Sequence, residues 1–109
     1  MAAMTIDEQA VLRNFKALVS ERLALHSVIL FGSRARGDAA EDSDLDVLVV
    51  IDGSADDASR DWISDCAWDA GFEAGLVIVP IVYGRAEWET GPERHSLLAR
   101  AIEREGVPV

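Results

Sequence analysis

The chain has a single cysteine, Cys66, so it cannot close an internal disulfide, and nothing in its thiol content marks an oxidising compartment. It has no apolar run near the roughly 20 residues that a bilayer-spanning helix requires. The longest runs, Leu45 to Ile51 and Leu76 to Tyr83, are strand-sized. The opening Met1-Ala2-Ala3-Met4-Thr5 lacks the basic flank and apolar stretch of a secretory leader. The cytoplasm is therefore the expected compartment, and no membrane partner is expected. Basic residues are also scarce, ten against twenty acids, for a net charge of −10. Such a balance repels phosphate backbones and makes extended DNA or RNA an unfavourable partner.

What remains is a globular mixture, 50% hydrophobic and 28% charged over 109 residues, without internal repeats or low-complexity tracts. A chain of this length buries roughly two-thirds of its unfolded surface in one core, so residues 1–109 are expected to form a single domain. Nine of the ten basic residues are arginines, and Arg34 and Arg36 lie two positions apart in a glycine-bounded loop. A small phosphorylated ligand is compatible with such a loop even on an acidic molecule.

Thr5 followed by Glu8 has the form of a capping box, and Ile6, Val11, Phe15, Leu18, Arg22 and Leu23 then recur at helical spacing, which predicts a helix from about Ile6 to Leu23. Val28 to Phe31 reads as a short buried strand stopped by Gly32. Asp44 to Ile51 becomes apolar on both faces after its first three residues, the pattern of a central strand. Ile63, Cys66, Ala67 and Ala70 give one apolar face to a helix from about Asp56 to Phe72. Leu76 to Tyr83 reads as a third strand, with Pro80 pointing to an edge, a bulge or a strand end. A last helix, from about Glu93 to Glu105, carries Leu97, Leu98, Ala101 and Ile102 and stops at Gly106. This alternation predicts an α/β or α+β fold with a small mixed sheet packed with helices.

The chemistry is concentrated between Phe31 and Val47, where a Gly32-Ser33 turn and a polar excursion lead into Asp44-Leu45-Asp46. Residues two apart in a strand project to one face, about 6.6 Å apart along the chain, so Asp44 and Asp46 point together. Two carboxylates so placed repel each other, and a divalent cation relieves that repulsion. Nucleotidyl transfer calls for this arrangement, because negative charge spreads over phosphate oxygens and hard carboxylate ligands hold Mg²⁺ or Mn²⁺ while leaving room for phosphates and water. Gly32 has no side chain to hold a triphosphate away, and Ser33 offers a hydroxyl and backbone N–H groups.

This stretch resembles the minimal nucleotidyltransferase group of the polymerase-beta-like nucleotidyltransferase superfamily: an apolar residue, Gly32-Ser33, a linker from Arg34 to Ser43, and Asp44-Leu45-Asp46 bounded by apolar residues. Arg36-Gly37-Asp38 matches the closer form of the pattern, and the specific match runs from Val28 to Ile51. The resemblance implies a palm-type nucleotidyltransferase fold, phosphate contacts from Gly32 and Ser33, and metal ligation and catalysis by Asp44 and Asp46. It also implies an ATP substrate and an antitoxin role, with AMP passed to a tyrosine of a HEPN-domain toxin. The family often has a third carboxylate on the next strand. Here Leu76 to Tyr83 contains no acid, Val77 or Val79 occupies the corresponding place, and Asp69 and Glu73 are the acids nearest in sequence.

Alternatives stay open for several residues. Arg34 and Arg36 either bind the triphosphate or neutralise Asp38, Glu41 and Asp42. Asp38 steadies the loop or is a solvated turn residue. Trp62, Trp68 and Trp88 are expected to pack on amphipathic helices in preference to stacking on a base, Cys66 to lie in the core, and His26 and His95 to bind no metal. At the level of function, the alternative to an enzyme is a nucleotide-binding module of weak or no activity that neutralises or scaffolds a HEPN-type partner by contact. A homo-oligomer is compatible with either.

Overall fold

The computed structural model describes residues 5–36 and 44–109, without the side chains of Ser33, Arg36, Glu93 and Arg94. Asp38, Glu41, Asp42 and Ser43 therefore lie outside the described residues.

Helix α1 spans Ile6–Ser20 and begins with the expected capping box: the Glu8 amide donates to Thr5 Oγ1 at 3.1 Å, and the Thr5 amide donates to Glu8 Oε1 at 2.8 Å. Its buried stripe is Glu8, Val11, Leu12, Phe15 and Val19. This corrects the predicted stripe at both ends, because Ile6 and Arg22 are exposed and the helix stops at Ser20, short of Leu23. Position 6 is in the first turn, beyond the edge of the sheet-facing stripe that the i, i+3, i+4 spacing of the other residues defines.

Strand β1 (Leu25–Phe31) follows, then the single-turn α2 (Ser33–Arg36), then β2 (Leu45–Ile51). The Asp56 side chain caps helix α3 (Asp57–Phe72) by accepting from the Ser59 amide at 2.8 Å. The chain continues through β3 (Ile78–Gly84), α4 (Arg85–Thr90), a 3₁₀ turn (Pro92–His95), α5 (Leu97–Glu105) and β4 (Val107–Pro108). The predicted final helix is thus two pieces, because Ser96 breaks it and caps α5 by accepting from the Ala99 amide at 3.0 Å. Ile102 is buried as expected, but Leu97, expected on the apolar face, is exposed and Ala99 is buried.

The sheet order is β3-β2-β1-β4, with β1 antiparallel to β2 and β4, and β2 parallel to β3 through the α3 crossover. β2 is the central strand its unbroken apolar run predicts, and β3 is an edge, as Pro80 suggests. One face of the sheet, carrying Leu45, Val47, Val49 and Ile51, packs on α1 and α3. The other, carrying Leu48 and Val50, is covered by Ile102 and Leu98 of α5 and Trp88 of α4. β4 reaches β1 through Gly106, where an added Cβ would lie 2.7 Å from Ile29 Cγ2, so the close approach of helix end and strand needs glycine at this position. Among the described residues, no helix is long and apolar enough to cross a membrane.

Candidate active site

Asp44 and Asp46 stand at the start of β2, on the face that carries Leu48 and Val50 further along. Asp46 pairs with Phe31, the last residue of β1, in the antiparallel register. The turn at Gly32 therefore lies directly beside the Asp46 carboxylate. Gly32 has φ +79°, a left-handed conformation that L side chains rarely adopt, and a Cβ built there would sit 2.7 Å from Asp46 Oδ2. Sequence spacing predicted this meeting of turn and acids, and strand pairing supplies the contact.

Asp46 is half-buried and Asp44 is exposed. Burial pushes the Asp46 carboxyl above its ordinary value, and the neighbouring Asp44 charge pushes it further in the same direction. The ionised Asp46 carboxylate therefore carries an electrostatic cost. Two hard-oxygen donors beside a glycine turn are the donor chemistry that suits a divalent cation of the Mg²⁺ type. Among the described residues, no third acid, histidine or cysteine joins the pair as a metal-binding cluster.

The neighbour of Asp46 on β3 is Val79, and the register matches Leu45 with Ile78. Position 79 is thus where a carboxylate on β3 would stand beside Asp46, and an exposed valine occupies it. Asp69 and Glu73 belong to α3 and its C-terminal cap, and α3 packs on the opposite face of the sheet.

The α2 turn carries Ser33, Arg34 and Arg36. Arg34 Nη1 donates to Glu8 Oε2 at 3.0 Å, with side-chain exposures of only 12% and 6%. Glu8 therefore serves two elements, capping α1 through Oε1 and anchoring α2 through Oε2. Burial pushes the Glu8 carboxyl up, but the hydrogen bonds from the Thr5 backbone and from Arg34 outweigh it and hold the group below its ordinary value. Sequence reading identified Glu8 as a cap and missed this second role. The contact spans 26 positions, and no local pattern announces it.

Comparison with known proteins identifies the family. A family model described as a nucleotidyltransferase domain matches residues 12–102. A candidate protein adenylyltransferase of Methanocaldococcus jannaschii is 38% identical over 77 residues, which cover 70% of this chain and 72% of that protein. Protein adenylyltransferase MntA of Thermococcus cleftensis is 42% identical over 50 residues, 45% of this chain and 50% of its own length. Among solved structures, a chain from the complex of a tri-AMPylated Shewanella oneidensis HEPN toxin with an MNT antitoxin aligns with a TM-score of 0.56 at 15% identity, over 94% of this chain and 71% of that one. At that identity the likeness speaks for the fold. The paired aspartates beside a glycine turn, on a sheet of this topology and with these relatives, place the chain in the nucleotidyltransferase domain family.

Proposed function

We propose that this nucleotidyltransferase transfers AMP from ATP to a hydroxyl of a partner protein in the cytoplasm, and that the partner is a HEPN-domain toxin silenced on a tyrosine. The observation that carries the reading is the packing of the Gly32 turn directly on Asp46, with Asp44 on the same face. The adenylyltransferase relatives supply the substrate class.

In this reading, Asp44 and Asp46 hold Mg²⁺ or Mn²⁺, which supplies charge neutralisation to the triphosphate. Gly32 and Ser33 admit and bind the phosphates, Arg36 of α2 contacts them, and Arg34 fixes α2 through Glu8. The acceptor hydroxyl oxygen forms a bond to the α-phosphorus, the bond to the bridging oxygen breaks, and pyrophosphate leaves with that electron pair. The hydroxyl proton passes to water or to a base of the acceptor protein, because β3 offers Val79 where an acid would stand. Fixed orientation of the hydroxyl and neutralised charge then account for most of the rate.

The same valine favours a second reading, in which the site binds metal–nucleotide and the protein neutralises its partner by contact. α-Labelled ATP, incubated with the chain and a HEPN partner, separates the two. Metal-dependent label on the partner, lost with Asp44→Ala or Asp46→Ala, is the outcome expected of the enzyme. Full protection of the partner by both variants with no label transferred establishes the contact reading.

A further inference from the structure

The exposed face of α3 carries two parallel rows at i, i+4 spacing. One row holds Trp68 and Phe72, and the other holds Asp61, Asp65, Asp69 and Glu73. Trp68 and Phe72 are 68% and 67% exposed, with ring centroids 5.6 Å apart. The expectation that the tryptophans pack on amphipathic helices therefore holds for Trp62, whose Nε1 donates to Val19 O at 3.3 Å, and for Trp88, which packs against Leu48, Val50 and Ile102, whereas Trp68 is exposed.

Trp68 and Phe72 line a groove of about 370 Å³ together with Ala67, Gly71, Val77 and Pro80. Val77 is itself 56% exposed. The acids form no salt bridge among the described residues. The one basic residue of α3, Arg60, is turned away to the carbonyls of Ala55 and Val82. Their field reaches the core: burial first, then Asp69 and Asp65, push the Cys66 thiol up to about 11.

A continuous aromatic and aliphatic surface with a one-sided acidic border is complementary to an apolar stripe flanked by lysine or arginine. Its position is also informative. The Leu45 amide donates to Val77 O at 2.8 Å, so the groove ends at the same end of the sheet as Asp44 and Asp46, on the face opposite them. We infer that the α3–β3 groove is the docking site for a basic amphipathic helix of the acceptor protein, which brings that protein's hydroxyl to the sheet end where the aspartates stand. The inference rests on the adenylyl-transfer reading for the occupant's identity. Aromatic anchors such as Trp68 are the residues expected to dominate the affinity.

The test uses a synthetic helix of about 18 residues with leucines at helical spacing flanked by lysines, and a matched helix with glutamate for lysine. Both are titrated into the whole chain at physiological ionic strength and read by backbone amide shifts. Saturable shifts in α3 and at the start of β3 with the lysine helix only are expected. Trp68→Ala with Phe72→Ala weakens that binding at least about tenfold, and Asp65→Asn with Asp69→Asn weakens it and flattens its salt dependence. Equal binding by the aromatic double variant, equal binding by the glutamate helix, or a self-associated chain with these same amides protected overturns the inference. Asp44→Ala with Asp46→Ala leaves docking intact and removes label transfer. Lost docking with transfer retained therefore counts against the groove alone, and docking without transfer counts against the chemistry alone.

Discussion

At the scale of single residues, the site depends on the absence of one side chain. Gly32→Ala introduces a Cβ at φ +79° and 2.7 Å from Asp46 Oδ2, so both backbone and carboxylate must shift. A loss of about 1–2 kcal/mol is expected from the left-handed conformation alone, measurable by urea denaturation, together with loss of nucleotide binding. Asp46→Asn has the opposite effect on stability. It removes a charge that burial and Asp44 both disfavour, so the variant is expected to melt higher than the parent while losing metal–nucleotide binding. A lower melting temperature for this variant contradicts the electrostatic cost assigned to Asp46.

At the scale of elements, the Glu8–Arg34 pair joins the start of α1 to the α2 turn. Glu8→Gln is expected to cost about 2 kcal/mol at neutral pH, because it removes the carboxylate charge from a poorly exposed hydrogen bond with Arg34. The folded carboxyl titrates below its ordinary value of 4.5, so its contribution is full above that value and is lost as the pH falls through the folded one. The parent is therefore expected to lose more stability than Glu8→Gln between about pH 6 and about pH 3, read from urea midpoints. On β3, Val79→Asp places a third carboxylate beside Asp46. Its rate of label transfer is expected to exceed the parent's several-fold, with Val79→Asn as the control that should not.

The elements that sequence reading recovered are those with a strong local signal: the Thr5–Glu8 cap, the apolar β2, the one-faced helix α3 and the proline-marked edge strand. Those it missed lack one. α4 is six residues of mixed polarity, β4 is two residues whose pairing with Ile29 and Leu30 is wholly non-local, and Ser96 breaks what periodicity alone reads as one helix. In the site, the spacing of Gly32, Asp44 and Asp46 was readable because turn and strand geometry are local. The Arg34 partner and the Asp46–Val79 register were not, since both depend on how distant segments pack.

At the scale of the whole molecule, a net charge of −10 surrounds a site that must admit a polyanion. On the proposed reading, a divalent cation held by Asp44 and Asp46 would offset that field locally and make nucleotide binding conditional on metal. Calorimetric titration of AMP-PNP is the most direct test of the central claim. The predicted result is saturable binding to the parent chain with Mg²⁺ present, none with Mg²⁺ chelated, and none to the Asp44→Asn/Asp46→Asn variant. Equal affinity in the double variant, or binding indifferent to Mg²⁺, would contradict it.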